Sequence, residues 1–142
     1  DFPAFVVQPN EYGPQPFDAP QRFLIYGQLR MPYDINISPV LEIRSGFPFS
    51  FVNERLDFVG ARNQSGRFPT FLSLAMQVTK GFAIPKLVPR IGGRRMRIGV
   101  AVLNTTNHFN PSEVQNNITS PRLGQFFNSL HTSVRGKFEF DF

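Results

Sequence analysis

The chain has 142 residues, enough for one domain, and its 11 Gly and 13 Pro break long helices and favour strands joined by turns. It has no cysteine, which excludes disulfides, thiolate metal sites and a cysteine nucleophile. The net charge of +5 fits cations scattered over loops or a surface facing anionic lipid, and we expect no nucleic-acid partner.

Apolar residues alternate with period two in several segments, whereas helical spacing is not sustained over any window. No run approaches the roughly 18 apolar residues of a transmembrane helix. A barrel strand, however, exposes only every second side chain to lipid. We predict strands near residues 22–31, 35–44, 70–82, 94–104 and 133–142.

The third and fourth predicted strands show the alternation most clearly, with polar, small or charged residues between the apolar ones. Their apolar faces share large hydrophobic side chains at alternate positions: Leu72, Leu74, Met76, Val78 and Phe82, then Met96, Ile98, Val100 and Val102. In the second strand, Pro39 predicts a local irregularity because it lacks a backbone N–H. Both soluble sandwiches and membrane barrels show such alternation, so it does not distinguish them.

The links between the predicted strands differ in length. A tight turn at residues 32–34 and a medium link at 83–93 contrast with long loops at 45–69 and 105–132. Outer-membrane barrels have short periplasmic turns and long external loops. If the final strand runs inward, both long loops lie outside the cell, and the basic residues around 83–97 lie near the periplasmic rim.

The last predicted strand carries Phe138, Phe140 and Phe142 at alternate positions. An exposed edge strand can pair its backbone with a partner while alternate aromatic side chains fill pockets. This pattern resembles the C-terminal signal that bacterial outer-membrane barrels present to the barrel-assembly machinery, although Gly136 is displaced by one position from the usual spacing. The three phenylalanines are therefore our candidate assembly signal.

A wider resemblance rests on the phrases PTFLSLAMQVTKGF, RRMRIGVAVLNTTNHFNPSEVQNN, SPRLGQFFNS and RGKFEFDF, with SPVLEIRSGFPFSFVNE upstream. Together they resemble the C-terminal end of TonB-dependent outer-membrane receptors, in the acidobacterial branch that carries a carboxypeptidase-regulatory-like domain. The resemblance implies an all-β fold, with antiparallel strands forming part of a transmembrane β-barrel. Residues 1–142 are then expected to be a C-terminal fragment of that barrel, located in the cell outer membrane and serving uptake of a scarce nutrient.

The same resemblance implies a set of partners. They are the upstream barrel strands and plug domain of the same protein, the TonB complex, the barrel-assembly machinery, outer-membrane lipid and an unidentified small ligand. The plug domain and TonB box of the family have no counterpart in these residues.

No residue set predicts catalysis or metal binding, since only two histidines are present and no G-x-S-x-G elbow occurs. We expect no enzyme activity, cofactor or metal. The Asn- and Thr-rich phrase before residue 110 is typical of a turn. Within it, Asn107, His108 and Phe109 are candidate contacts of an external loop.

Phenylalanines crowd both long loops, and we expect the loops to pack on each other or, in a receptor mouth, to contact an apolar or sugar-like ligand. The alternative function is a soluble or secreted β-sandwich acting as a binding module, for example for glycan. In a sandwich the apolar strand faces would meet in a water-free core. In a barrel they would face lipid.

Overall fold

The computed structural model describes residues 9–86, 90 and 92–140, and within these ranges the fold is all-β with one short 3-10 helix at Pro9–Glu11. The strands, in chain order, are β1 (Arg22–Tyr26), β2 (Leu29–Met31), β3 (Ile35–Arg44), β4 (Pro48–Phe49), β5 (Phe51–Val52), β6 (Phe58–Val59), β7 (Gly66–Arg67), β8 (Phe71–Ala83), β9 (Arg95–Leu103), β10 (Pro111–Val114), β11 (Phe126–Ser129) and β12 (Ser133–Phe140). No helix in the described ranges is long and apolar enough to cross a membrane.

The main sheet contains six strands in the order β1-β3-β8-β9-β12, with β2 also paired to β3. Strands β8 and β9, and β9 and β12, pair antiparallel. The order follows the chain, so the sheet is a meander of neighbouring strands. β1 and β12 stand at its two ends, and the sheet therefore stays open over the residues that the structure describes.

The first predicted strand, residues 22–31, is divided in two. β1 ends at Tyr26, β2 begins at Leu29, and both pair with β3. Between them, the Gly27 N–H donates to the Pro39 carbonyl at 3.2 Å. Pro39 has no N–H to return the bond, so the ladder is incomplete at this point. β3 itself is continuous through Pro39, and the irregularity falls on its partner.

Residues 45–69 and 105–132, predicted as plain loops, contain short strands. The first range holds the pairs β4–β7 and β5–β6, and the second holds the hairpin β10–β11. Each of these strands has only two to four residues, too few for alternation to be visible in the sequence. Aromatic and β-branched residues pair locally here, as in Phe51 with Val59.

The described chain forms two compact units. The sheet unit comprises Phe23–Glu42, Leu72–His108 and the residues from His131, and the loop unit comprises Ile43–Phe71, Phe109–Leu130 and the residues up to Arg22. The loop unit has Val52 buried, at 8% exposure. In the described part of the sheet unit, by contrast, no aliphatic or aromatic side chain is buried. The sheet unit therefore lacks a hydrophobic core of its own, although core burial is the main driving force for folding.

Candidate functional site: an uncovered sheet face and a loop cleft

The register of β8, β9 and β12 places their apolar residues on one face. Val78 pairs with Val100, and Val100 also pairs with Gly136. Directly paired residues share a face, and every second residue along each strand joins them. The face consists of Met76, Val78, Phe82, Met96, Ile98, Val100, Val102, Val134, Phe138 and Phe140.

Along β8 and at the centre of β9, this apolar face is the more exposed side. Along β8, Met76, Val78 and Phe82 are exposed, whereas the intervening Gln77, Thr79 and Gly81 are only partly so. Val100 is 45% exposed, and Gly99 beside it is buried. A half-buried soluble sheet turns its apolar side inward, so the exposure pattern along β8 and around Val100 is inverted.

The opposite face carries small and charged residues. Gly99 lies between Thr79 and Lys137, and a side chain at this position would meet the Thr79 methyl group. Lys137 forms an ion pair with Glu139, which pairs across the ladder with Arg97. This face is polar and contains no large hydrophobic side chain opposite the centre of β9, as suits contact with water or with other protein.

The candidate assembly signal is only partly within the described residues. Phe138 and Phe140 lie on β12 and pair with Ile98 and Met96, so both belong to the apolar face. Phe138 is 68% exposed. Phe142 lies outside the described residues.

The Asn-rich phrase after β9 forms a tight turn built on Asn104. This residue is 6% exposed and has a φ of 49°, a left-handed conformation that Asn tolerates better than most residues. Its side chain accepts from the His108 N–H at 3.2 Å and donates to the His108 carbonyl at 3.1 Å. Its own carbonyl accepts from the Thr132 hydroxyl at 2.7 Å. The phrase therefore fastens the end of β9 to the start of β12.

Two of the three candidate loop contacts take part in this turn through polar groups. The side-chain oxygen of Asn107 accepts from the Thr132 N–H, and the backbone of His108 is held by Asn104. Phe109 follows the turn and is exposed. The structure thus gives Asn107 and His108 a clear structural role, and a ligand contact at these residues stays a prediction.

The loop unit is organised by a cluster of four phenylalanines. Phe49 makes edge-to-face contacts with Phe51, Phe68 and Phe126, at centroid distances of 5.7 to 5.9 Å. Phe68 and Phe126 are 5.2 Å apart. Such ring pairs stabilise by about 0.5–1.5 kcal/mol beyond their burial. Because Phe126 comes from residues 105–132 and the others from 45–69, the two long segments pack on each other.

A cleft of about 590 Å³ opens beside this cluster, entirely within the loop unit. Its apolar side includes Phe47, Phe68 and Phe71, and the guanidinium carbon of Arg44 lies 4.0 and 4.2 Å from the ring centroids of Phe47 and Phe71. The contacts with both rings hold the Arg44 side chain in place. The volume falls in the range of small-molecule sites, about 300–1,000 Å³.

The polar side of the cleft comes from the hairpin β10–β11. Its register skips one position, at Ser112 and Asn128, and the Ser112 hydroxyl donates to the Asn128 carbonyl at 2.8 Å instead. Asn128 has a φ of 57°. The register is the same on both sides of this gap, so the strands stay aligned while one pair of backbone groups leaves the ladder. Both residues line the cleft, which thus joins aromatic walls to amide and hydroxyl groups.

Within residues 9–86, 90 and 92–140, no three His, Asp or Glu side chains come together in a way that could hold a metal ion. Comparison with known proteins gives no match to a family model, a curated protein or a solved structure.

Sequence reasoning missed two features of these surfaces. Period-two alternation along β8 and the pairing with Ile98 both assign Lys80 to the apolar face, a position that the pattern of hydrophobic residues alone does not indicate. The Arg44–Phe47–Phe71 arrangement brings together residues from the end of β3, a loop and the start of β8. No local pattern identifies that arrangement, because it depends on how the loop unit folds.

Proposed function

We propose that this chain contributes an arc of strands to an outer-membrane β-barrel, as part of a TonB-dependent receptor that takes up a scarce nutrient. The observation that carries the proposal is the exposed apolar face of β8, β9 and β12. In lipid, such a face needs no protein cover, and the opposite, small and charged face looks onto water or a plug domain.

The strand connections support this proposal. A meander of antiparallel neighbours is the topology of up-and-down barrels. Six strands cannot close a membrane barrel, since the smallest have eight, so further strands of the same protein must pair with β1 and β12. Unpaired edges would otherwise promote aggregation. Barrel assembly, plug and TonB partners follow as parts of the same proposal.

The loop unit fits the role of a ligand-binding region on the cell exterior. Residues 45–69 and 105–132 pack together through the Phe49 cluster, so they form a structured surface and not flexible links. The cleft near Arg44 and Asn128 offers apolar contacts and hydrogen bonds to a small molecule. We propose that the nutrient first contacts the receptor here.

The alternative of a soluble β-sandwich needs a second layer over the apolar face. Val100 at 45% and Phe138 at 68% exposure lack such cover. Contiguous exposed apolar surface of this kind marks a membrane or partner interface in general, so it favours the barrel over the sandwich.

Val100→Arg in the full-length receptor tests the proposal, with Gln77→Arg as the matched control on the other face. An Arg at mid-depth against lipid destabilises a barrel by about 2–4 kcal/mol. Gln77 is partly exposed on the face that does not contact lipid in this proposal, so the same change there is expected to destabilise the barrel less than Val100→Arg does. The measurement is urea unfolding in liposomes, together with the amount of heat-modifiable receptor in outer membranes. Equal stability of the two variants would overturn the lipid-facing assignment.

A further inference from the structure

The cleft of the loop unit has an apolar wall and a polar wall. Phe47, Phe68 and Phe71 contribute to the apolar wall, and all three are half-buried, so each keeps part of its surface open to solvent. Aromatic side chains contact the apolar face of a ring-shaped ligand through many small dispersion attractions. The volume of about 590 Å³ leaves room for a small molecule against this wall.

Two serine hydroxyls lie in the polar wall, and their hydrogen bonds within the chain differ. The Ser112 hydroxyl donates to the Asn128 carbonyl at 2.8 Å, so its oxygen is left to accept. The Ser129 oxygen accepts from the Asn110 N–H at 2.8 Å, so its proton is left to be donated. In the described chain neither hydroxyl has a further hydrogen bond. Each bond joins two residues that line the cleft, which puts both hydroxyls in its wall.

The polar wall therefore offers a ligand one fixed donor and one fixed acceptor. A carboxylate only accepts and an ammonium group only donates, so each of these groups would use just one of the two serines. A hydroxyl group donates and accepts through the same oxygen. Because backbone groups already hold Ser112 and Ser129, little side-chain freedom is lost when a ligand binds.

The charges that line the cleft do not require an ionic ligand. No acidic residue is among the described lining residues, so a cationic ligand would find no opposite charge there. Arg44 is the charged lining residue in that part of the chain, and its guanidinium lies against the Phe47 and Phe71 rings. These cation–π contacts stabilise its charge within the chain, so Arg44 does not by itself call for a ligand anion.

We infer that the cleft binds a neutral saccharide, with the C–H face of a sugar ring on the phenylalanine wall and sugar hydroxyls bonded to Ser112 and Ser129. A saccharide combines what the two walls select, an apolar C–H face and several groups that both donate and accept. The inference rests on the proposed function and deepens it, because it gives a ligand class to the cleft at which we place the first contact of the nutrient.

The experiment is saturation-transfer difference NMR on the full-length receptor purified in mild detergent. The neutral probes are glucose, maltose and cellobiose. Glucuronate and glucosamine keep the ring of glucose and add a negative or a positive charge, and N-acetyl-trialanine amide offers amide groups without a sugar. We expect the neutral sugars to bind best, with the strongest saturation on ring C–H protons, since these protons lie on the phenylalanine wall.

Ser112→Ala and Ser129→Ala each remove one hydroxyl from the polar wall, and each is expected to weaken saccharide binding about 5-fold. Ser120→Ala is the matched control. The Ser120 oxygen accepts from the Arg122 N–H in the same unit but does not line the cleft, so this change removes a hydrogen bond of the same kind as Ser129→Ala does. Binding by Ser120→Ala is expected to equal that of wild type.

The outcomes separate the saccharide site from the proposed receptor. A heat-modifiable receptor in outer membranes that binds none of the neutral sugars overturns the saccharide site alone. Stronger binding of glucuronate, glucosamine or the blocked peptide than of every neutral sugar also overturns it, as does an equal loss in Ser120→Ala. Saccharide binding by a full-length protein that is absent from the outer membrane would instead overturn the barrel and leave the saccharide site standing.

Discussion

Phenylalanine side chains pack against each other in the loop unit, whereas phenylalanines on β12 of the sheet unit are exposed. Phe49 and Phe126 contact other rings within the loop unit, whereas Phe138 and Phe140 in the sheet unit are exposed. The loop unit also buries Val52. The loop unit therefore supplies its own apolar contacts, whereas the sheet unit leaves large apolar side chains exposed. Truncating a side chain that packs within the protein should therefore destabilise the fold more than truncating an exposed one.

Both units share a device that fixes the backbone, a buried Asn in left-handed conformation. Asn63 in the loop unit has a φ of 55° and accepts from the Ser50 hydroxyl, while its side-chain amide donates to the Pro14 carbonyl at 2.6 Å. Asn104 plays the same part in the sheet unit. Each unit thus fixes one left-handed backbone position by hydrogen bonds to a buried Asn side chain, although only the loop unit buries a hydrophobic side chain among the described residues.

The largest effects are expected at these two asparagines. Asn63→Ala and Asn104→Ala each lose the tolerance for positive φ and leave buried polar groups without partners, which together destabilises by about 2–4 kcal/mol. Hydrogen exchange of the full-length protein should rise around residues 50–63 for the first variant and around 104–108 for the second. Asn→Gly at each position restores the backbone tolerance and should recover part of the loss. A rise in exchange across both units in either variant would contradict the expectation that each Asn stabilises only the residues around it.

A smaller effect is expected from Phe126→Ala. The ring contacts Phe49 and Phe68, and its side chain is half-buried, so truncation should destabilise the loop unit by about 2–3 kcal/mol, below the 3–5 of a fully buried Phe. Limited proteolysis within residues 45–69 should accelerate. Phe127 is the control, because it is 40% exposed and makes no ring contact in the described residues. If Phe127→Ala accelerated cleavage as much, the aromatic cluster would not be what holds the loops together.

Sequence alone predicted the regular part of this fold better than the rest. β3 coincides with predicted residues 35–44, and β8 and β9 differ from the predicted strands by one residue at each end. Period-two alternation over nine or more residues is a strong pattern, because each strand has two chemically different faces. The short strands of the loop unit have no such length, and they depend on pairing between distant segments.

Of the two candidate surfaces, the sequence predicted the apolar face of the sheet but not the cleft of the loop unit. The apolar face followed from alternation, and the register adds how the three strands align. The cleft did not follow, because Arg44, Phe71 and Asn128 meet only through the fold of the loop unit. The place of Lys80 on the apolar face could have been predicted from the sequence, since a charged residue at that position breaks the alternation.

The smallest change in folded-state stability, and the sharpest test of the sheet unit, is expected from Phe138→Ala. Because Phe138 is 68% exposed, its truncation removes few protein contacts and should destabilise the assembled receptor by less than about 1 kcal/mol. Under the proposed function, the role of Phe138 as an aromatic at an alternate position of β12 would instead be exerted while an unpaired edge is presented to the assembly machinery. The measurement compares heat-modifiable, protease-resistant receptor in outer membranes with the urea midpoint of the protein that does assemble. We expect assembly to fall several-fold while the urea midpoint barely moves.

Val134→Ala is the matched control, since it lies on the same strand and face at a similar exposure but is not aromatic. Equal amounts of assembled Phe138→Ala and Val134→Ala protein would show that the Phe138 ring has no separate role in assembly.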